Sequence, residues 1–91
     1  MQTRIRMPTK GWISMVSAYV LIQTDVGRAS GVAEQLAGLP GVAIAAPVAG
    51  PYDVIAKIEA DTVDMLGKLV VSQIQGVEGI TRTLTCPIVV L

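Results

Sequence analysis

A five-residue element occurs twice in this chain at a fixed offset, and that repetition restricts the possible folds more than any single residue does. Gly38-Leu39-Pro40-Gly41-Val42 returns 38 residues later as Gly76-Val77-Glu78-Gly79-Ile80. Each copy follows a stretch with helical spacing and opens a stretch of strand character. At the same offset, Ala18-Tyr19-Val20 and Ala56-Lys57-Ile58 both stand inside strand-like runs. The chain therefore reads as β-α-β twice over. Two copies are too few for a solenoid, which needs about three, so the product is one closed domain.

Composition adds a constraint on what surrounds that domain. A chain of 91 residues buries only about 60–65% of its unfolded surface. Yet 52% of its residues are hydrophobic and 15% are charged, a surplus that implies surface covered by another chain. The net charge of zero conceals an asymmetry. Residues 1–14 carry Arg4, Arg6 and Lys10 and no acid, whereas the remainder is acidic, with seven acids against four bases. A phosphate backbone is a poor partner for such a domain, and Trp12 alone beside the basic residues makes a weak nucleic-acid signal. The run Trp12–Ile22 is interrupted by Ser14 and Ser17 and precedes no small-x-small cleavage site, so it does not read as a signal peptide. Nothing approaches the roughly 18 apolar residues of a membrane span. The expectation is a short flexible tail over 1–14 and a domain over 15–91 in a cytoplasmic protein, with Met1, Met7 and Met15 all open as start codons.

The first strand is predicted over Met15–Gln23 and a turn at Asp25-Val26-Gly27. A helix over Arg28–Ala37 places Val32 and Leu36 one turn apart, and Gly38 ends it as a left-handed cap. A second strand covers Val42–Ala49. Gly50-Pro51-Tyr52-Asp53 forms a tight turn and Asp53–Glu59 a third strand. Asp61 or Thr62 caps a second helix whose apolar stripe is Val63, Leu66, Val70 and Ile74. Gly67 inside it predicts a close packing contact, and the fourth strand runs from Ile80 to Val90. This β-α-β-β-α-β order defines an α+β, ferredoxin-like sandwich: a four-stranded antiparallel sheet with two helices on one face. Pro47 and Pro87 then fall in strands two and four, the edges of that fold, where a missing N–H is tolerated.

Alternation assigns the two faces of the sheet. Val16, Val20, Ile22, Val42, Ile44, Val54, Ile58, Ile80 and Leu84 are expected beneath the helices. Tyr19, Leu21, Ala43, Ala45, Ile55, Thr81, Thr83, Thr85 and Val89 are expected on the opposite face, with Lys57 and Glu59 its only charges. A solvated sheet face is normally polar, so this one predicts a homodimer formed face to face.

No catalytic arrangement emerges. The chain has no histidine, the usual general base near neutral pH. The single Cys86 excludes an intrachain disulfide and a cysteine-rich metal site, and it precedes a proline in a predicted strand, which reads as structural. Asp61 and Asp64 suit the dipole of a helix start. The segment Val48–Val54 is more specific. An ordinary hairpin accounts for its glycine, proline and aspartate. Equally, Gly50 exposes backbone amides and Asp53 is able to pair with an ammonium group, as a ligand site requires. The residues themselves leave both readings open.

From about Met15 to Leu91 the chain resembles the effector-binding domain of the Lrp/AsnC family of feast/famine regulators. The resemblance is carried by Leu39-Pro40-Gly41-Val42, by the hairpin Gly50-Pro51-Tyr52-Asp53-Val54, and by Gly79-Ile80-x-x-Thr83-x-Thr85. It implies the same fold, dimerisation sheet to sheet, a ring of dimers, and an amino acid or related metabolite bound between dimers near the hairpin. Carried over, it implicates Gly50, Tyr52 and Asp53, with Thr83 and Thr85 as further candidates; no metal or cofactor is expected. Family regulators have an N-terminal helix-turn-helix domain that 14 residues cannot hold. The expectation is the stand-alone form: an oligomeric, non-enzymatic amino-acid sensor, making no direct contact with nucleic acid or membrane and co-assembling with full-length regulators. The alternatives are a small enzyme of the dimeric α+β barrel type, which the absence of histidine and phenylalanine disfavours, and a purely structural assembly module.

Overall fold

The computed structural model describes residues 15–89; the basic segment 1–14 and the end of the predicted fourth strand lie outside them. The elements follow the predicted order: β1 Val16–Thr24, α1 Ala29–Ala37, β2 Val42–Pro47, β3 Val54–Ala60, α2 Val63–Leu69 and β4 Ile80–Pro87. All pairings are antiparallel and the sheet order is β2-β3-β1-β4, so both proline-bearing strands are edges. Each proline is the last residue of its strand.

The repeated glycine element is a repeated structure. Leu39 N–H bonds to Leu36 O and Val42 N–H to Leu39 O; 38 residues on, Val77 bonds to Ile74 and Ile80 to Val77 in the same way. The left-handed residue is the second glycine of each copy, Gly41 (φ +90°) and Gly79 (φ +101°). Gly38, expected in that role, is right-handed at φ −86° and donates its N–H to the last turn of α1. Each of these second glycines also meets the other repeat. A Cβ on Gly41 would stand 2.9 Å from Leu69 Cδ2 at the end of α2, and one on Gly79 would stand 3.2 Å from Val32 Cγ2 in α1. Their carbonyls accept bonds of 2.8 Å from Glu59 N–H and Asp25 N–H respectively. The shared geometry of the two halves therefore locks one half onto the other.

The core lies between the helices and the middle of the sheet. Ala18, Val20 and Ile22 of β1 and Val54, Ala56 and Ile58 of β3 are fully buried, and Val32 and Leu36 of α1 and Leu66, Val70 and Ile74 close over them. Burying a side chain such as Ile22 or Leu36 contributes about 1.5–3 kcal/mol. Thr62 Oγ1 caps α2 by accepting the Met65 N–H at 3.1 Å. After Leu69 the helix widens into a π-helical turn over Val70–Ile74, closed by Gln75 N–H to Val70 O at 2.9 Å. Two expectations for this helix fail. Val63 is the first residue of α2 and is exposed rather than part of the stripe. Gly67 has open space around it, so no close contact explains it.

The sheet faces need a further correction on both edge strands. Between Val42 and Ile44 the β2–β3 register slips, and between Ile80 and Arg82 the β1–β4 register slips, leaving Ala43 and Thr81 as bulge residues. One extra residue reverses side-chain parity downstream. Ala45 therefore packs against the core beneath the helices, whereas Ile44 is 61% and Leu84 48% exposed. Thr83 and Thr85 pair with Ile22 and Val20 and so belong to the helix side. The open face is made of the rows Leu84–Leu21–Ile55–Ala46 and Cys86–Tyr19–Lys57–Ile44, bordered by Arg82–Gln23. Swapping residues between faces leaves the earlier conclusion standing: this face is apolar and uncovered in the single chain.

Candidate functional site

The loop between β2 and β3 is held by the end of β1. Val48 N–H donates to Asp53 O at 2.9 Å, and Asp53 N–H donates to Ile22 O at 2.8 Å. Gln23 Nε2 reaches the Pro51 carbonyl at 3.2 Å, and the Thr24 N–H donates to Asp53 Oδ2 at 2.8 Å. Gly50 sits at the tip with φ +150°. These bonds to β1 fix a loop that has no secondary structure of its own.

Beside this loop, on the open face, lies a shallow pocket of about 490 Å³ lined by Leu21, Val48, Ala49, Gly50, Pro51, Tyr52 and Ile55. Its position follows from sheet parity. Leu21 and Ile55 are directly paired in the middle of their row, and the loop folds beside them. The only polar side chain in the lining is the Tyr52 phenol; every other polar group there is backbone. Such a surface suits apolar groups and offers amides and one hydroxyl for orientation. It contains no acid–base pair, and among the described residues no buried side chain is polar or charged. Nor do the described residues hold any group of three or more side chains suited to a metal ion.

The five residues singled out from the sequence separate into three places. Gly50 and Tyr52 line the hairpin pocket. Asp53 does not; its carboxylate is engaged with the Thr24 backbone beneath the loop. Thr83 lies on the other side of the sheet, where its hydroxyl accepts from Gln75 Nε2 at 3.1 Å. Thr85 is one row further along β4, beside Val20, and does not line the hairpin pocket. Within one chain, then, β4 and the hairpin do not form a common site. Val48, Ala49 and Pro51 are added by the loop, and Leu21 and Ile55 by alternation. That combination was legible only by laying the turn over the open face.

A family model, the Lrp/AsnC ligand binding domain, matches residues 17–89. This chain belongs to the Lrp/AsnC family. Its match to an HTH-type transcriptional regulator of Pyrococcus furiosus is 35% identical over 72 residues, covering 76% of this chain and 48% of that protein. The Lrp/AsnC domain described here thus spans about half the length of the curated relatives it matches, and those relatives are named as regulators rather than enzymes. Among solved structures, TTHA0845 from Thermus thermophilus superposes with a TM-score of 0.78 at 34% identity, covering 84% of this chain and 95% of that one. AsnC of Escherichia coli gives a TM-score of 0.80 at 19% identity, covering 99% and 62%. A transcriptional regulator of Neisseria meningitidis, solved as a complex with L-methionine, gives 0.75 at 10% identity, covering 98% and 60%. At those identities the last two show the fold, which is the Lrp/AsnC ferredoxin-like fold. No helix of the described residues is long and apolar enough to cross a membrane.

Proposed function

We propose that this chain is an oligomeric sensor for a small, apolar-side-chain amino acid, and that it modulates transcription regulators of its family by assembling with them. One observation carries the reading: the hairpin pocket opens onto an apolar sheet face that a single chain leaves uncovered. Another chain laid near it closes the pocket and excludes water from a ligand there. Leu21, Val48 and Ile55 suit an aliphatic or thioether side chain, loop amides around Gly50 suit the carboxylate, and Tyr52 supplies a hydroxyl. Asp53 is the acid nearest the loop; its bond to Thr24 supports a role in holding the loop rather than gripping an ammonium group. The Neisseria structural neighbour, solved with L-methionine, makes that amino acid the first to try.

The test is a thermal-shift screen of the full chain across the twenty amino acids, followed by calorimetry on the hits. A ligand at a hundred times its Kd adds about 2.7 kcal/mol, a readily measured rise. Stabilisation by methionine, leucine or isoleucine that Tyr52→Ala weakens supports the reading. No stabilisation by any amino acid, or undiminished binding by folded Tyr52→Ala, discards it.

A further inference from the structure

The outer face of α2 carries a shallow apolar hole that nothing among the described residues fills. Asp64, Gly67, Lys68, Val71 and Ser72 line it, around a volume of about 530 Å³. The first four stand at i, i+3, i+4 and i+7, the diamond of helix positions that accepts one inserted side chain. Gly67 forms the floor, where a Cβ would meet nothing within 4 Å. Val63 and Val71 are both exposed, turned away from the buried stripe of Leu66, Val70 and Ile74. A solvated helix face is normally polar, whereas this one keeps its charges, Asp64 and Lys68, at the sides of an apolar floor.

The point where the chain enters the domain identifies an occupant. Val16 pairs with Ala60, so β1 begins beside the end of β3, just before Asp61 and the start of α2. Trp12 precedes Val16 by four residues, which span about 13–14 Å when extended. Gly67 lies only about 6 Å along the helix axis beyond Val63. Residues 1–14 carry Arg4, Arg6 and Lys10 and no acid, and Asp61 and Asp64 stand between the entry point and the hole. Asp25, Asp53 and Glu78 belong to the opposite end of the sheet, where Asp25 N–H bonds to Gly79 O and Asp53 N–H to Ile22 O. We infer that Trp12 docks in this hole and draws the basic segment across the outer face of α2. The indole seats on Gly67 against Val71, with Lys68 beside the ring as a cation–π partner. Lys10 and the arginines meet Asp61 and Asp64, exposed pairs that orient the segment more than they hold it. A tether this short gives an effective concentration of about a millimolar, which favours the chain's own segment over that of another molecule. The hole is separate from the hairpin pocket and from the open sheet face, and its filling depends on neither.

Trp12 is the one tryptophan of the chain, so selectively excited fluorescence of the full chain reads its surroundings, with a free peptide of residues 1–14 as the exposed reference. Emission to the blue of the peptide's is expected, with acrylamide quenching severalfold weaker and the same at every protein concentration. Gly67→Leu fills the hole with a better helix former, and Val71→Asp sets a charge at its rim. Each is expected to return emission and quenching to the peptide's values; circular dichroism and melting curves establish that each variant is folded. Peptide-like emission and quenching in the parent chain overturn the inference. Protection undiminished in folded Gly67→Leu and Val71→Asp puts the indole elsewhere. Protection that grows with protein concentration, or that is lost in Leu84→Asp on the open face, puts it against a second copy. Either result also overturns it.

Discussion

Asp53 and Tyr52 are neighbours in different surroundings, one tied to β1 and one lining the hairpin pocket. The Asp53 carboxylate accepts the Thr24 N–H, so Asp53→Ala leaves a half-buried donor unpaired and loosens the loop from β1. That costs about 1–3 kcal/mol, or roughly 4–8 °C of melting temperature per kcal/mol in a domain of this size. Among the described residues the Tyr52 side chain makes no hydrogen bond, so Tyr52→Ala is expected to melt close to the parent while losing affinity. Calorimetry beside melting curves separates the two; a stable, non-binding Asp53→Ala would instead make the aspartate a direct ligand contact. The glycines divide similarly. Gly79→Ala forces a side chain into a left-handed conformation and against Val32, and is expected to lower stability by about 1–3 kcal/mol. Gly67→Ala, on an open helical surface, is expected to raise it by about 0.5–1 kcal/mol.

At the scale of elements, legibility depended on whether a signal was local. Helix spacing, turn residues and strand prolines are local, and they placed the six elements and both sheet edges. Bulges are not local. Nothing in Val42-Ala43-Ile44 or Ile80-Thr81-Arg82 marks the extra residue, because a bulge is defined by the pairing partner across the ladder. Parity therefore held along β1 and β3 and inverted beyond each bulge, exchanging Ile44 with Ala45 and Leu84 with Thr83 and Thr85. The candidate site suffered from the same cause: the hairpin was found from its turn residues, while β4 was assigned to the wrong side. The exchange has a measurable consequence. Ala45→Asp places a carboxylate beneath the helices, a cost of several kcal/mol that a small domain cannot absorb, and is expected to unfold the chain. Leu84→Asp puts the same charge on the open face, where a monomer solvates it. It is expected to fold and to fail to dimerise. The reverse outcome, by circular dichroism and light scattering, would reject the bulged registers.

For the whole molecule the question is what covers the open face. A 91-residue domain has little stability in reserve, and this one leaves Tyr19, Ile44 and Leu84 in water on a single surface. A sheet-to-sheet dimer would remove that surface from water for both copies. If most of the stability arises this way, unfolding and dissociation are one transition. Mass action then makes the melting temperature rise with protein concentration, which a folded monomer does not show. The full chain is accordingly expected to scatter light as a dimer or larger, rather than as 9.5 kDa, at micromolar concentration. Its melting temperature is expected to climb over a hundredfold concentration range. Leu84→Asp should melt at a lower temperature that no longer depends on concentration, since its partner is already lost. A parent chain that scatters as a monomer and melts at one temperature throughout the range would leave the open face unpartnered, and with it the hairpin pocket open to water.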